Sequence, residues 1–364
     1  MISKDTPGSE TSLCRACSRT VLQVIYQGAC LSLGAVRLSR EIPMIVDIHA
    51  HYFPQEYTDL LMRIGGRSLP EAARPRTARP MRQNDPASIL TRLQQMDEAE
   101  VQMQVLSPAA SPPYADQEAD AVAAARLIND SYAELAQQYP RRLEAFVSLP
   151  LPHIDAALRE MERGLDQLGM LGVSMTCSCF DRSTAEAEFE PLYEEMNRRG
   201  AVLNYHPIQN GICSPMINDY RFTVSVGASL EDSAIVLHLI ARRMPERYPN
   251  IKYVIPHVGG IIPMLLERLD NQAPSQHPDL PERPSVTARR FYYDTVSHGS
   301  QAALLCAWKA FGADHLVAGS DYPVLLAFET YRQTFHYIRE SGLPAEDVDK
   351  ILNHNAQILL GLDH

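Results

Sequence analysis

The chain of 364 residues lacks a basic stripe, and its formal net charge is −11. Lysines and arginines are interspersed with acidic residues, so no run of cations could follow a phosphate backbone, and we expect no nucleic acid partner. Long apolar runs are also missing, because Arg, Asp, Glu or Pro interrupts each one well before the roughly 20 residues that span a bilayer. We therefore expect a soluble protein with no membrane partner.

Cysteines are few and irregularly placed. Their number is seven, and they do not form the even, closely spaced frame of a small secreted domain, which favours a reducing, cytoplasmic location. Cys14 and Cys17 have the spacing of half a zinc knuckle or of a redox pair, but no second pair lies at finger spacing and no strand precedes them. We interpret both as incidental.

The first 43 residues differ from the rest of the sequence. They begin with a polar Ser/Gly/Thr stretch, show no clear helical or strand period, and end just before Met44 and the first strand. We hypothesise that residues 1–43 are a disordered extension or an over-called start, with an organelle transit segment as the weaker alternative. Residues 44–364 are then predicted to form a single domain.

From Met44 onward, short apolar runs alternate with longer amphipathic stretches, as in the repeated βα units of a parallel sheet. The predicted strands are residues 45–49, 101–106, 143–149, 172–176, 201–205, 251–255, 291–295 and 315–318. The predicted helices include residues 86–99, 117–138, 154–168, 186–199 and 229–244. Eight such units predict an α/β fold, a (β/α)8 or TIM barrel.

Two details of this pattern concern loops and helix ends. The Pro/Arg-rich segment near 65–86 is predicted to be a loop insertion on the first βα connection, the face on which barrel active sites are built. The helix near Ser229 is predicted to start with that residue as its cap and with Glu231 and Asp232 as acids in its first turn.

Residues that can bind metals close four of the predicted strands. His49 and His51 follow the first, His206 the fifth, His257 the sixth and Asp321 the eighth. In a parallel barrel, reactive groups gather at the C-terminal ends of the strands. Because residues two apart on a strand point the same way, His49 and His51 can both face the mouth of the barrel.

Imidazole and carboxylate groups suit zinc and other borderline divalent ions. We predict that His49, His51, His206 and Asp321 surround one ion and leave a position for water or substrate. Asp47 either points away from the mouth or packs beneath these residues and orients them, and we favour the second placement. A single histidine at a strand end is more often structural, but four such residues at the strand ends of one barrel are hard to obtain by accident.

Several short motifs are spread between about Met44 and Leu362. They are VDIHAHYFP at 46–54, YPRR at 139–142, LGMLGV at 168–173, YHP at 205–207, PHVGG at 256–260, GSDYP at 319–323 and NA at 355–356. In these motifs the sequence resembles the amidohydrolase superfamily and, within it, metal-dependent decarboxylases of the aminocarboxymuconate semialdehyde, 6-methylsalicylate and resorcylate type.

The resemblance implies one divalent ion, Zn²⁺ or alternatively Mn²⁺, on the four residues named above, with His257 and Asp321 as catalytic residues. His257 would be the acid/base beside the metal-bound water. Two-metal hydrolases of the superfamily carry a bridging carbamylated lysine at the end of strand 4, and residues 172–177 contain none, which implies a mononuclear site. Ile208-Gln209-Asn210 stands where the semialdehyde decarboxylase has an aromatic pocket residue, so the exact acid stays open.

The resemblance also suggests substrate-binding residues. The family grips the substrate carboxylate with an arginine from the first long loop, and Arg76, Arg79 and Arg82 are all candidates. Arg268 resembles an arginine that the family inserts into the neighbouring subunit's site, which implies a homodimer. His298, just past the seventh strand, is expected either to contact the substrate or to help to start a helix.

Three functions are compatible with these residues. The resemblance favours non-oxidative decarboxylation of a small aromatic or unsaturated carboxylic acid, in which His257 or the water that it controls supplies the proton. The alternative is a hydrolase of the same superfamily, in which a metal-bound water attacks a lactone, an amide or another polarised carbonyl. The third is a barrel that keeps its metal only for structure or binding. We disfavour it because an open coordination position serves catalysis better than folding.

Overall fold

The computed structural model describes residues 45–64, 86–108 and 110–362. The strands are β1 (Ile45–His51), β2 (Val101–Ser107), β3 (Leu143–Ala145), β4 (Val147–Ser148), β5 (Val173–Thr176), β6 (Ser178–Cys179), β7 (Arg182–Ser183), β8 (Val202–His206), β9 (Lys252–Ile255), β10 (Tyr292–Asp294) and β11 (Leu316–Val317). The helices are α1 (Gln55–Arg63), α2 (Pro86–Glu98), α3 (Glu118–Gln138), α4 (Ile154–Glu162), α5 (Glu190–Arg199), α6 (Pro215–Asn218), α7 (Ala228–Ala241), α8 (Met244–Arg247), α9 (Ile262–Gln276), α10 (Pro284–Ala288), α11 (Gln301–Phe311), α12 (Gln333–Arg339), α13 (Ala345–Asp349) and α14 (Asn355–Leu360).

The parallel strands follow one another in chain order. β1, β2 and β3 pair in one group, and β4, β5, β8, β9, β10 and β11 pair in the other. β3 and β4 are one strand interrupted at Phe146, whose N–H still bonds to the carbonyl of Leu106 at 3.0 Å. The last strand returns to the first, because Ile48 N donates to Ala318 O at 3.0 Å and Ala50 bridges to Tyr322. The eight-stranded (β/α)8 barrel predicted from the sequence is confirmed.

Along β1, apolar side chains that pack in the core alternate with polar side chains of the candidate site. All seven of its residues are buried. Val46 and Ile48 belong to a hydrophobic cluster that includes Leu359 of α14. Because successive side chains of a strand point to opposite faces, Asp47, His49 and His51 lie on the face away from that cluster. The strand therefore anchors the barrel on one side and presents polar groups on the other.

The helix after β8 starts differently from the prediction. A π-helical turn, Thr223–Gly227, runs directly into α7 at Ala228, so Ser229 lies inside the helix and caps nothing. Glu231 and Asp232 are buried, at 3% and 0% exposure, rather than lying at a solvated helix end. The predicted cap at Ser229 was wrong because the preceding turn already continues the helical path, whereas Glu231 does lie in the first turn of α7, as predicted.

The described residues contain one stretch, Thr223–Ala241, that is long and apolar enough to cross a membrane. Half of its apolar window is buried inside the protein, and it carries the two buried acids Glu231 and Asp232. Core helices of barrels share this composition, so the stretch is weak evidence for a membrane span. Residues 1–43 and most of the 65–86 insertion lie outside the described residues, and the boundary at Met44 stays a prediction.

Candidate metal centre and active site

The structure brings His49, His51, His206 and Asp321 together. Their ligand atoms all lie within 4.8 Å of one another, and all four residues are buried. Nε2 of His49 is 3.1 Å from Nε2 of His51, and Oδ1 of Asp321 is 2.8 Å from Nε2 of His51. The end of β1 supplies two of the four groups, the end of β8 the third, and the turn after β11 the fourth.

The three imidazoles share one hydrogen-bonding pattern. Each ring has an oxygen acceptor at Nδ1, on the side away from the cluster. The acceptors are Oδ2 of Asp294 for His49 (2.6 Å), the carbonyl of Ser107 for His51 (3.2 Å) and the carbonyl of Pro207 for His206 (2.7 Å). The geometry suits donation from each Nδ1–H to these oxygens, and in that tautomer each ring turns an Nε2 lone pair towards the centre.

These lone pairs show that the residues fit a cation. Nε2 of His206 is buried and has no hydrogen-bond partner among the described residues, although such orphaned atoms are rare in folded proteins. Burial lowers the pKa of His206 well below its ordinary value, and also lowers the pKa of His51, so both rings are neutral as metal ligands must be. Three such nitrogens with one carboxylate form a donor set suited to a single Zn²⁺ or Mn²⁺ ion.

His257 lies beside this cluster, in the turn after β9. Its ring centroid is 5.3 Å from that of His49 and 5.7 Å from that of His206. Its Nδ1 is 2.9 Å from Oδ2 of Asp232, a fully buried carboxylate of α7. With Nδ1 engaged by that carboxylate, Nε2 is the nitrogen left to exchange a proton.

The charges around His257 oppose the effect of burial on its pKa. Burial alone would lower the pKa of the imidazole, but the charge and hydrogen bond of Asp232, with the charges of Asp294 and Asp321, raise it to about 9. A divalent cation at the centre would act in the opposite direction and bring the pKa down. The site thus contains a buried imidazole whose protonated form is stabilised by neighbouring carboxylates, which makes it a candidate for acid/base chemistry.

Two of the site residues have a strained backbone. His257 has φ 52° and Asp321 has φ 54°, in the left-handed region that residues other than glycine rarely adopt. The N–H of His257 donates to Oδ1 of Asp294 at 2.9 Å, and the N–H of Asp321 donates to the carbonyl of His49 at 2.8 Å. Such strain persists only where the surroundings hold it in place, and it gathers at functional sites.

Asp47 lies beneath the cluster, as expected from the sequence. Its Oδ1 accepts hydrogen bonds from the backbone N–H groups of His49 (3.2 Å) and Ser320 (3.0 Å), and its Oδ2 accepts from the Ser320 hydroxyl (2.6 Å). Burial raises the pKa of Asp47 to about 6. Its carboxylate contacts the backbone that carries the cluster residues rather than their side chains.

Of the five residues expected to bind substrate, the described part of the chain contains Arg268 and His298. Arg76, Arg79 and Arg82 lie outside the described residues. Arg268 is exposed on α9. His298 is also exposed, its ring lies 5.3 Å from that of Phe328, and the following helix, α11, is capped by the hydroxyl of Ser300 instead.

Sequence reasoning missed two carboxylates of this site. Asp294 ends β10 and contacts both His49 and His257, and the rule that found the other strand ends could have found it. Asp232 had a weaker signal, because on a helix its neighbour in the sequence, Glu231, looks equally suitable. Glu231 instead accepts backbone N–H groups of the loop after β8, from Gln209 at 3.0 Å and Gly211 at 2.8 Å.

A (β/α)8 barrel with three imidazoles and a carboxylate converging at its strand ends belongs to the metal-binding class of barrel enzymes. The family model described as Amidohydrolase matches residues 46–362. The chain therefore belongs to the amidohydrolase family.

Individual relatives agree with this assignment. The 2-amino-3-carboxymuconate-6-semialdehyde decarboxylase of Dictyostelium discoideum is 25% identical, over 75% of this chain and 76% of the relative. The 6-methylsalicylic acid decarboxylase of Penicillium expansum is 26% identical, over 81% of this chain and 91% of the relative. A dihydroxybenzoic acid decarboxylase of Polaromonas sp., solved with manganese and 2-nitroresorcinol, is similar in structure, with a TM-score of 0.73, 23% identity, and coverage of 88% and 97%. The two sequence relatives place this chain with the carboxy-lyases.

Proposed function

We propose that this protein is a metal-dependent, non-oxidative decarboxylase of a small aromatic or unsaturated carboxylic acid. The observation that carries the proposal is the position of the His257–Asp232 pair directly beside three imidazoles and a carboxylate that fit one divalent cation. This is the arrangement that a proton transfer at a charge-stabilised carbon needs. The decarboxylase relatives and the manganese in one structural neighbour support the same reading.

The roles follow from the contacts. His49, His51, His206 and Asp321 would hold the ion, Zn²⁺ or Mn²⁺, which when bound supplies a Lewis acid for a substrate oxygen and for the negative charge that develops there. As the bond between the carboxyl group and the substrate breaks, its electron pair stays on the substrate carbon and carbon dioxide leaves. Nε2 of His257 delivers a proton to that carbon, directly or through a water.

Asp232 and Asp294 act on His257 from two sides. Asp232 holds Nδ1 of the ring at 2.9 Å, which fixes the orientation of the imidazole and stabilises its protonated form. Asp294 holds the backbone N–H of His257 at 2.9 Å, and so keeps the strained turn in place. Both act as positioning residues, while His257 carries the proton.

Substrate binding and assembly are assigned to cationic residues. A carboxylate needs a cationic partner, and Arg76, Arg79 and Arg82 of the first loop stay the candidates, with His298 at the rim. Arg268 is exposed, as a residue that enters a neighbouring subunit would be in a single chain, and we propose a homodimer on that basis. A cytoplasmic location remains part of the proposal.

The test is a decarboxylation assay. Metal-loaded protein is incubated with 6-methylsalicylate, 2,6-dihydroxybenzoate and muconate-type acids in deuterated water, and carbon dioxide release and deuterium at the product carbon are measured. We expect both for at least one acid. Ring opening, amine release or ester cleavage without carbon dioxide would show that the hydrolase alternative is right.

Variants separate catalysis from folding. His257→Asn should lower turnover by about 10²- to 10⁴-fold while metal content and melting temperature stay near those of the parent protein. The matched control is His153→Asn, a partly buried histidine that bonds to the carbonyl of Ala115 at 2.9 Å before α4. Full turnover in the His257 variant would refute the assigned acid/base role.

A further inference from the structure

Arg92 of α2 is a cation buried beneath the metal centre, with 2% exposure. Its Nη2 donates to the carbonyl of His51 at 2.7 Å, and its Nη1 donates to Oε1 of Gln104 at 2.8 Å. Its guanidinium carbon lies 4.3 Å from the ring centroid of Tyr322, over the face of that ring. The cation therefore touches the residue that ends β1 and the residue that follows Asp321.

Gln104 of β2 connects this cation to Asp47. Its Nε2 donates to Oδ2 of Asp47 at 3.1 Å and to the hydroxyl of Tyr331 at 2.7 Å. The same Oδ2 accepts from the Tyr331 hydroxyl at 2.8 Å. Gln104 and Asp47 are both fully buried, so these bonds are shielded from competing water.

The two charged residues bridge the same pair of segments. Asp47 bonds to the backbone of His49 in β1 and of Ser320 in the turn after β11. Arg92 bonds to the backbone of His51 in β1 and packs on Tyr322 in that turn. These segments supply His49, His51 and Asp321, three of the four residues of the cluster, and each charged residue ties one segment to the other.

We propose that Arg92, Gln104 and Asp47 form one positioning relay, which holds the end of β1 and the turn at 320–322 in register for metal binding. The proposal rests on the metal site of the proposed function, and not on which reaction that site performs.

A physical argument favours a positioning role over simple packing. Removing an arginine from water carries a large free-energy cost, and an apolar side chain of similar size often stabilises a protein more than a buried charged group does. A cation kept at this depth is better explained by directional contacts. The guanidinium plane offers two hydrogen bonds and an aromatic stacking face at fixed angles, which lysine or methionine cannot reproduce.

The experiment measures metal binding directly. The metal-free full chain is titrated with Co²⁺, whose visible absorption reports both affinity and ligand geometry. Arg92→Met and Gln104→Leu should each raise the Co²⁺ dissociation constant about 10- to 100-fold and shift the absorption band. Arg92→Lys keeps the charge without the fork and should fall between Arg92→Met and the parent protein.

A matched control separates positioning from general stability. Arg163 is a partly buried arginine, with 19% of its side chain exposed, and it bonds to Glu160 at 3.0 Å and to Asp130 at 2.6 Å on the segment after α4. Arg163→Met should lower the melting temperature but leave Co²⁺ affinity and spectrum unchanged. If Arg92→Met does not fold, Gln104→Leu, which is uncharged in both forms, decides the question.

The outcomes are distinct. Parental Co²⁺ affinity and spectrum in folded Arg92→Met or Gln104→Leu protein would overturn the relay and leave the metal site standing. No Co²⁺ binding by the parent protein would overturn the metal site of the proposed function, and the relay with it.

Discussion

Asp294 accepts a hydrogen bond from Nδ1 of His49 at 2.6 Å. Its other oxygen accepts from the backbone N–H of His257 at 2.9 Å and of Val296 at 3.0 Å. One buried carboxylate at the end of β10 thus sets the tautomer of a candidate ligand and the backbone of the candidate acid/base. Both oxygens are acceptors in this arrangement, and only a carboxylate can fill both roles.

Asp294→Asn should therefore weaken metal binding. The amide NH₂ must face either His49 or the backbone N–H groups, so one hydrogen bond becomes a contact between two donors. We expect the metal dissociation constant to rise about 10- to 100-fold, measured by competition with a chromogenic chelator. The control is Asp130→Asn, on the surface of α3, which should bind metal like the parent protein. Parental metal affinity in Asp294→Asn would mean that the contacts of Asp294 are only structural.

A second carboxylate is expected to affect turnover without affecting metal binding. Asp232→Asn removes the charge that holds Nδ1 of His257, so the ring loses its fixed orientation and the stabilisation of its protonated form. Steady-state kinetics should show kcat lower by about 10²-fold or more, with unchanged metal content and a KM within a few-fold.

The neighbouring acid supplies the control for this variant. Glu231→Gln alters a residue of equal burial that bonds to the loop after β8 instead of to His257. It should retain most of kcat. Equal losses of kcat in the two variants would mean that local folding, and not the histidine, explains the effect of Asp232→Asn.

The fold, the four cluster residues and His257 could be predicted because they depend on short-range patterns. Strand and helix periods are local, and a residue at the end of a parallel strand has only one edge of the barrel to occupy. His49, His51, His206 and Asp321 met that condition and came together. Asp294 met it as well, so the sequence alone could have identified this residue.

Residues that act through tertiary contacts could not be found in this way. Nothing in the spacing of apolar residues along α2 marks Arg92 as buried. Only the tertiary structure, in which α2 packs against β2, shows that its side chain reaches the carbonyl of His51. Asp232 likewise differs from Glu231 only in the direction that the helix turns it. Such assignments depend on how two elements pack, which no spacing along one element determines.

Removing the metal should destabilise the protein. The Nε2 atoms of His49 and His51 lie 3.1 Å apart, and Nε2 of His206 has no hydrogen-bond partner among the described residues. Chelation is expected to lower the melting temperature by several degrees, and one equivalent of Mn²⁺ or Zn²⁺ per chain should restore it, because a ligand that binds only the folded state stabilises that state. His206→Gln should show a much smaller response to chelator, and a full response would mean that the ion binds elsewhere.

Acid stability should depend on Glu190, which begins α5 and joins it to the end of α7 and to α8. Its carboxylate accepts two hydrogen bonds from Arg247, at 2.7 and 2.6 Å, and one from Arg242 at 2.8 Å. These bonds lower the pKa of Glu190 to about 2. A depressed pKa means that the contribution to stability is complete above the unfolded-state value, about 4.3, and is lost as the pH falls towards 2.

Glu190→Gln should therefore lower the free energy of unfolding by about 1 kcal/mol at pH 7, the upper end of the range for partly exposed ion pairs. The difference from the parent protein should stay constant down to about pH 5.5 and shrink at pH 4 and below. Urea unfolding at these pH values measures it, with the exposed Glu134→Gln of α3 as a control that changes little. A difference that did not vary with pH would show that the ion pairs contribute nothing and that only packing was changed.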